Sequence, residues 1–356
     1  MIRPGIALIL MACSSPESSI DGLSLAVDAP GPYQPGYMLR SVTYEPPVGE
    51  SPRTLDLHIW YPTQSTAFDE VSYTYEIFVD EGVVPEAPIA PSIHENGYPL
   101  HVYSHGDRGF GGSSAFLARY FASHGWVTIA PDHLDNLTFD TVEPKETSHF
   151  IHRPLDLVAS MDMVSEQMPW SSELDADRVV VSGHSFGSYT TWAIGGSTYD
   201  AVETFCSPEE RDCSEAERAA FEAGLGDERV VATIPMAGTI RRSWLGETGH
   251  RQHQAPVFFM SGTEDPVNQQ GQWDEMDTID FTWIDIEGAC HNGFALGACP
   301  ELDTDEGFAI IQTYALAFGR RHALLDPSAD VQSILSGERS VSERVRFQRM
   351  NPSDGL

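Results

Sequence analysis

Along this chain, runs with period-two apolar alternation trade places with runs whose apolar residues recur three and four apart. RTLDLHIWYP (53–62) alternates and predicts a strand. YPLHVYSHG (98–106) reads as a strand ending in glycine, and WVTIAP (126–131) as a short buried strand. Between them, SSAFLARYFASHG (113–125) has helical spacing, opened by serines and closed by Gly125. Helical spacing returns in PLDLVASMDMVSEQM (154–168), in 186–196 and in GFAIIQTYALAFGRRHAL (307–324). RVVVSG (178–183), RVVATIPMAG (229–238), APVFFMSG (255–262) and FTWIDIEG (281–288) complete the strands. Such alternation implies an α/β fold with a mostly parallel sheet and helices on both faces. One domain is expected over 38–325, with the acidic, helix-prone segment 197–228 as an insertion or cap. Residues 13–37, rich in Ser, Pro and Gly, are expected to form a flexible tether, and 326–356 a polar tail over the surface.

One strand ends unusually. In VVVSGHSFGSYT (179–190) the β-branched run passes into Gly183-His184-Ser185-Phe186-Gly187 and then into a helix. In parallel α/β sheets, functional groups gather at the carboxyl ends of strands. A strand–GxSxG–helix turn lifts the serine hydroxyl out of the sheet and aims the helix N-terminus at the same point. Ser185 is therefore the candidate nucleophile. A serine hydroxyl needs a base, and the base needs an orienting group. In the order Ser, acid, His, the acid is expected at Asp265, beyond the strand APVFFMSG, with Glu264 as the alternative. The base is expected at His291, directly after FTWIDIEG. The oxyanion donors are expected at the main-chain N–H groups of Phe186 and of Asp107, in the turn SHGDRGFGG, with the Asp107 carboxylate directed away. His105 and His184 read as packing or hydrogen-bonding residues. Phe139, Phe186 and Trp244 are candidate acyl-pocket residues. This chemistry calls for no metal and no cofactor.

The balance of 20 Lys+Arg against 53 Asp+Glu gives a net charge of −33 and argues against nucleic acid and anionic lipid as partners. MIRPGIALILMACSS carries one arginine, Arg3, and then a short apolar run from Ile6 to Met11, the pattern of a signal peptide over 1–12. LMAC resembles a lipobox, which would make Cys13 the lipidated first residue of an envelope lipoprotein; a plain secretory signal is the alternative. Export makes Cys206, Cys213, Cys290 and Cys299 readable as disulfides, with local pairing Cys206–Cys213 and Cys290–Cys299 expected and zinc disfavoured by the spacing.

Taken together, VYSHGDRGFGGSSAFLARYFASHGWVTIAPDH, RPLDLVASMDMV, VSGHSFGSYTTWA and VFFMSGTEDPV resemble the dienelactone-hydrolase-like esterases of the α/β-hydrolase superfamily, and GHSFG with the SHG turn is also similar to platelet-activating-factor acetylhydrolases. The resemblance spans about 50–325. It implies an α/β-hydrolase fold with Ser185 as nucleophile, His291 as base, and donors at Asp107 and Phe186. The acetylhydrolase branch carries its acid one strand earlier, where VVATIPMAGT has no carboxylate, so Asp265 follows the dienelactone-hydrolase-like pattern. The expectation is an exported serine carboxylester hydrolase for short- to medium-chain esters. Phospholipase and polyester hydrolase are the alternatives within the class, peptidase and acyltransferase lie further off, and a lipid-anchored binding protein on the same scaffold is the non-catalytic one.

Overall fold

The computed structural model describes residues 20–351 apart from 50–51, 67–70, 73–78, 81, 200–201, 208–210, 239–244, 246–248, 268–269, 272–275, 277 and 296. Strands β1 (Gln34–Tyr44) and β2 (Arg53–Thr63) pair antiparallel along their whole length. The short β3 (Val71–Ser72) and β4 (Val79–Asp80) pair with each other, and β5 (Val84–Pro85) lies parallel to β1. From β6 (Tyr98–Ser104) the chain alternates: α1 (Ala115–Ser123), β7 (Val127–Pro131), α2 (Thr147–Gln167), β8 (Leu174–His184) and α3 (Phe186–Ile194). The short α4 (Val202–Phe205) and α5 (Glu215–Ala223) follow, and then β9 (Val230–Met236), β10 (Val257–Gly262) and β11 (Phe281–Ile286). Helices α6 (Thr304–Ala323) and α7 (Ala329–Leu335) and strand β12 (Val345–Met350) close the described chain.

Among the described residues, the main sheet has ten strands in the order β12-β11-β10-β9-β8-β6-β7-β2-β1-β5. Strands β7, β6, β8, β9, β10 and β11 run parallel, while β2 against β7 and β12 against β11 are antiparallel. The pleat explains why both faces are covered. On β8, Val180 enters the core shared with α1 and α6, whereas Val179 and Val181 enter the core shared with α2. On β11, Ile284 and Ile286 face α6 while Phe281 and Trp283 face the α3 side. Strands buried on both faces read as continuous apolar runs, which is the α/β pattern expected from the sequence.

Three boundaries differ from expectation. Helix α2 starts two turns earlier than Pro154 and carries that proline inside it. Proline lacks the N–H that would reach the carbonyl of Phe150, and the Tyr189 hydroxyl donates to that carbonyl instead, at 2.8 Å. The tether expected over 13–37 is packed where it is described: Val27, Tyr33 and Tyr37 are buried, and the Tyr120 hydroxyl donates to the Val27 carbonyl at 2.6 Å. Its Ser/Pro/Gly content makes turns between buried anchors. The tail beyond 326 is structural too. Asp326 is buried against Arg320 at 2.8 Å, and β12 pairs with β11 along the sheet edge. The proposed signal peptide and Cys13 lie outside the described residues. No helix among the described residues is long and apolar enough to cross a membrane.

Candidate active site

The corner at Ser185 is built from close backbone contacts. A Cβ on Gly183 would sit 2.2 Å from the Gly187 carbonyl oxygen, and a Cβ on Gly187 would sit 1.9 Å from that of Ser104. Only glycine fits either position, so β8, α3 and the end of β6 meet without intervening side chains. Ser185 itself takes φ 55°, ψ −112°, a conformation that non-glycine residues rarely adopt. Its N–H donates to the Met236 carbonyl at 2.9 Å, which ties the corner to the end of β9.

Two neighbouring strand ends deliver the partners. Asp265 follows β10, its N–H closing a turn on the Gly262 carbonyl at 3.0 Å. Its side chain is wholly buried. One carboxylate oxygen accepts from the Val267 N–H at 3.1 Å, and the other lies 3.1 Å from His291 Nδ1. Glu264, the alternative acid, is exposed. His291 follows β11 in a short 3-10 turn, and its Nε2 lies 2.9 Å from Ser185 Oγ. With the ring proton on Nδ1, His291 donates to Asp265 and accepts from the serine hydroxyl. Residues Ser185, His291 and Asp265 are thus joined in one hydrogen-bonded line across 106 residues of sequence.

The surroundings hold that line in place. The disulfide Cys290–Cys299 closes on the residue before His291, and Cys206–Cys213 closes in the helical insertion, both as expected. His184, inside the corner, donates from Nε2 to the His291 carbonyl at 2.8 Å. Burial, and after it the nearby His291, pushes His184 down to about 4, so it stays a neutral donor.

Phe186 is the first residue of α3, so its N–H is among those with no partner within the helix. Asp107 sits second in a turn closed by the Gly109 N–H on the Gly106 carbonyl at 3.1 Å, with Arg108 at φ 55°. Its carboxylate accepts from Asn136 Nδ2 at 2.6 Å and pairs with Lys145 at 2.9 Å. Burial alone would raise the Asp107 carboxyl; the bonds from Lys145 and Asn136 outweigh it and hold the group below its usual range.

Ser185, His291, Asp107 and Phe186 share a cleft of ≈ 430 Å³ with Phe150, Tyr189, Val267 and the Ala237-Gly238 turn on its apolar side. Lys145, Glu143 and Arg211 make its polar rim. Arg211 also lies over the Phe150 ring at 4.3 Å and donates to the Lys145 carbonyl at 2.9 Å, joining the insertion to the rim. Of the acyl-pocket candidates, Phe186 lines the cleft, Phe139 is 67% exposed and does not, and Trp244 lies outside the described residues.

The sequence reading expected segments 133–152 and 197–228 to line the pocket without naming Lys145 or Arg211, and it did not name the Ala237-Gly238 turn. The glycine that ends RVVATIPMAG was the signal for the last: a Cβ there would meet the Ser185 carbonyl at 2.4 Å. The two cations belong to no motif, and their approach depends on tertiary packing. Two buried histidines, of β6 and of the loop after β7, are held by protein partners. His101 bonds Thr128 and Ser182, and His133 bonds Ser104 and Asp156. Among the described residues, no three His, Cys, Asp or Glu side chains are grouped to hold a metal.

No protein-family model matches the chain, and no curated protein is significantly similar to it.

Proposed function

We propose that this protein is an exported serine carboxylester hydrolase that works through an acyl-enzyme. The observation that carries the reading is the pair of distances Ser185 Oγ–His291 Nε2, 2.9 Å, and His291 Nδ1–Asp265 Oδ2, 3.1 Å, at the open end of one sheet. His291 takes the Ser185 proton as the oxygen attacks the ester carbonyl. The N–H groups of Asp107 and Phe186 stabilise the tetrahedral oxyanion. The imidazolium then gives its proton to the leaving alcohol, and the C–O bond breaks to leave Ser185 acylated. Water enters by the same route: His291 accepts its proton, a second oxyanion forms, and the acid leaves with Ser185 restored. Asp265 orients the ring and faces its positive charge while the proton is held.

The half-open cleft, with Phe150, Phe186, Tyr189 and Val267 on one side, favours short to medium acyl chains. Family membership as a dienelactone-hydrolase-like or acetylhydrolase-like esterase belongs to this proposal and rests on the motifs alone. Two closed disulfides support export, since such bonds persist in oxidising compartments.

The test is the initial rate on p-nitrophenyl esters from acetate to dodecanoate. The expected result is turnover with a maximum at short to medium chain length, and a Ser185→Ala variant slower in kcat by about 10⁴–10⁶. Folded wild-type protein without turnover on any ester of the series would overturn the reading, as would a Ser185→Ala variant that keeps its rate.

A further inference from the structure

Arg153 is the most deeply buried arginine among the described residues, only 1% exposed. A buried cation is costly unless its hydrogen-bonding groups are all engaged. Its guanidinium is engaged, but with neutral acceptors. Nε donates to Thr190 Oγ1 at 3.2 Å, Nη1 to Asn136 Oδ1 at 2.7 Å, and Nη2 to Ser104 Oγ at 3.1 Å and to the His105 carbonyl. Among the described residues no carboxylate lies within ion-pair distance of it. Burial pulls Arg153 down to about 9, which leaves it a cation at neutral pH.

Those contacts have a common destination. Ser104 and His105 end β6 and lead directly into the turn that carries Asp107. Asn136 accepts from Arg153 and donates through its own amide N–H to the Asp107 carboxylate at 2.6 Å. Thr190 lies on the first turns of α3, the helix that begins at Phe186, and the guanidinium sits over the Phe186 ring at 4.5 Å. One side chain from α2 therefore grips both segments from which the two oxyanion donors come.

We infer that Arg153 is a positioning residue for the oxyanion hole, its planar guanidinium setting the distance between the Asp107 turn and the start of α3. The inference rests on the proposed esterase reading of the same site. The fork geometry matters: Lys at this position would keep the charge but could not reach β6, Asn136 and Thr190 together. His291 and Asp265 have no bond to Arg153, so its loss leaves the proton-transfer line intact. What suffers is the stabilisation of charge that exists only in the transition state, which appears in kcat and not in KM.

The experiment compares Arg153→Lys, Arg153→Met and Asn136→Ala with wild type on one soluble p-nitrophenyl ester. Inhibition by an alkyl trifluoromethyl ketone, whose serine adduct places an anionic oxygen in the hole, and by the carboxylic acid product is measured alongside. Arg153→Lys is expected to lose about 10²–10³ in kcat, the scale of removing an oxyanion donor. KM and product inhibition should move by less than about threefold, on the scale of uniform binding left intact, and ketone affinity should fall in parallel with kcat/KM. Asn136→Ala, which cuts only the arm to Asp107, is expected to lose about tenfold by the same measures. It keeps the test open if the Arg153 variants fail to fold. Wild-type rates in Asn136→Ala and in any folded Arg153 variant would overturn the inference. So would losses shared equally by ketone and product binding, which mark general disruption. Absence of Ser185-dependent turnover in wild type is a different failure, that of the esterase reading itself.

Discussion

Ser185 holds a conformation, φ 55° and ψ −112°, that costs a non-glycine residue about 1–3 kcal/mol. Alanine at this site keeps the strain, and glycine releases it. Ser185→Gly is therefore expected to be more stable than Ser185→Ala by about 1 kcal/mol while both are inactive; urea denaturation of the two variants checks this, and equal midpoints would argue against strain at the corner. The flanking glycines act by space. Gly187→Ala would drive a Cβ into the Ser104 carbonyl at 1.9 Å, backbone that cannot yield cheaply. The expected outcome is loss of activity together with a lower melting temperature, read by calorimetry. These glycines were legible in the sequence because a strand that runs straight into a helix through GxSxG must turn too tightly for a side chain at either position. The grip of Arg153 was not: its partners Ser104, Asn136 and Thr190 are scattered over three segments, and their meeting depends on the crossing of α2 over β6.

At the scale of elements, each candidate site residue sits just past a strand end: Asp107 after β6, Ser185 after β8, Asp265 after β10 and His291 after β11. Parallel neighbours bring those ends to one edge, which is why residues singled out from the order of strands in the sequence meet there. Loop-borne groups need further restraint, and Cys290–Cys299 gives it to His291. Replacing both cysteines by serine removes a cross-link whose ten-residue loop is worth roughly 2.7 kcal/mol in the chain-entropy model. Stability is expected to fall by about that amount, with kcat reduced more than KM is raised; unchanged kcat would show that the loop holds His291 without it. The misread elements share one cause. Pro154 reads as a helix start, and only the Tyr189 hydroxyl on the Phe150 carbonyl reveals why α2 continues through it. Val345 and Phe347 on β12 alternate with Arg346 and Gln348, a pattern too brief and polar to stand out until β11 is beside it.

For the whole molecule, buried neutral histidines set the response to acid. Burial pushes His101 and His253 down to about 3, and His124 down to about 4; burial aided by neighbouring charge brings His133 and His184 to about 4. These groups stay neutral in the fold but take up protons near 6.5 when unfolded, so the unfolded chain binds more protons below that pH. Their contribution is complete above 6.5 and is lost progressively as pH falls from 6.5 through the folded values. One such histidine accounts for about 2 kcal/mol between pH 7 and 5. Unfolding free energy by urea titration is thus expected to drop by at least about that amount over the interval, and a flat profile would contradict neutral burial. The net charge of −33 acts at the same scale, on solubility and on which partners approach, and leaves the chemistry to the cleft. The central claim, that Ser185 is a nucleophile activated by His291, is met most directly by stoichiometric labelling with a fluorophosphonate followed by peptide mass mapping. The account requires one equivalent bound, the adduct on the peptide containing Ser185, and no adduct in Ser185→Ala or His291→Ala. Folded protein that takes up no label, or carries it on another residue, would contradict it.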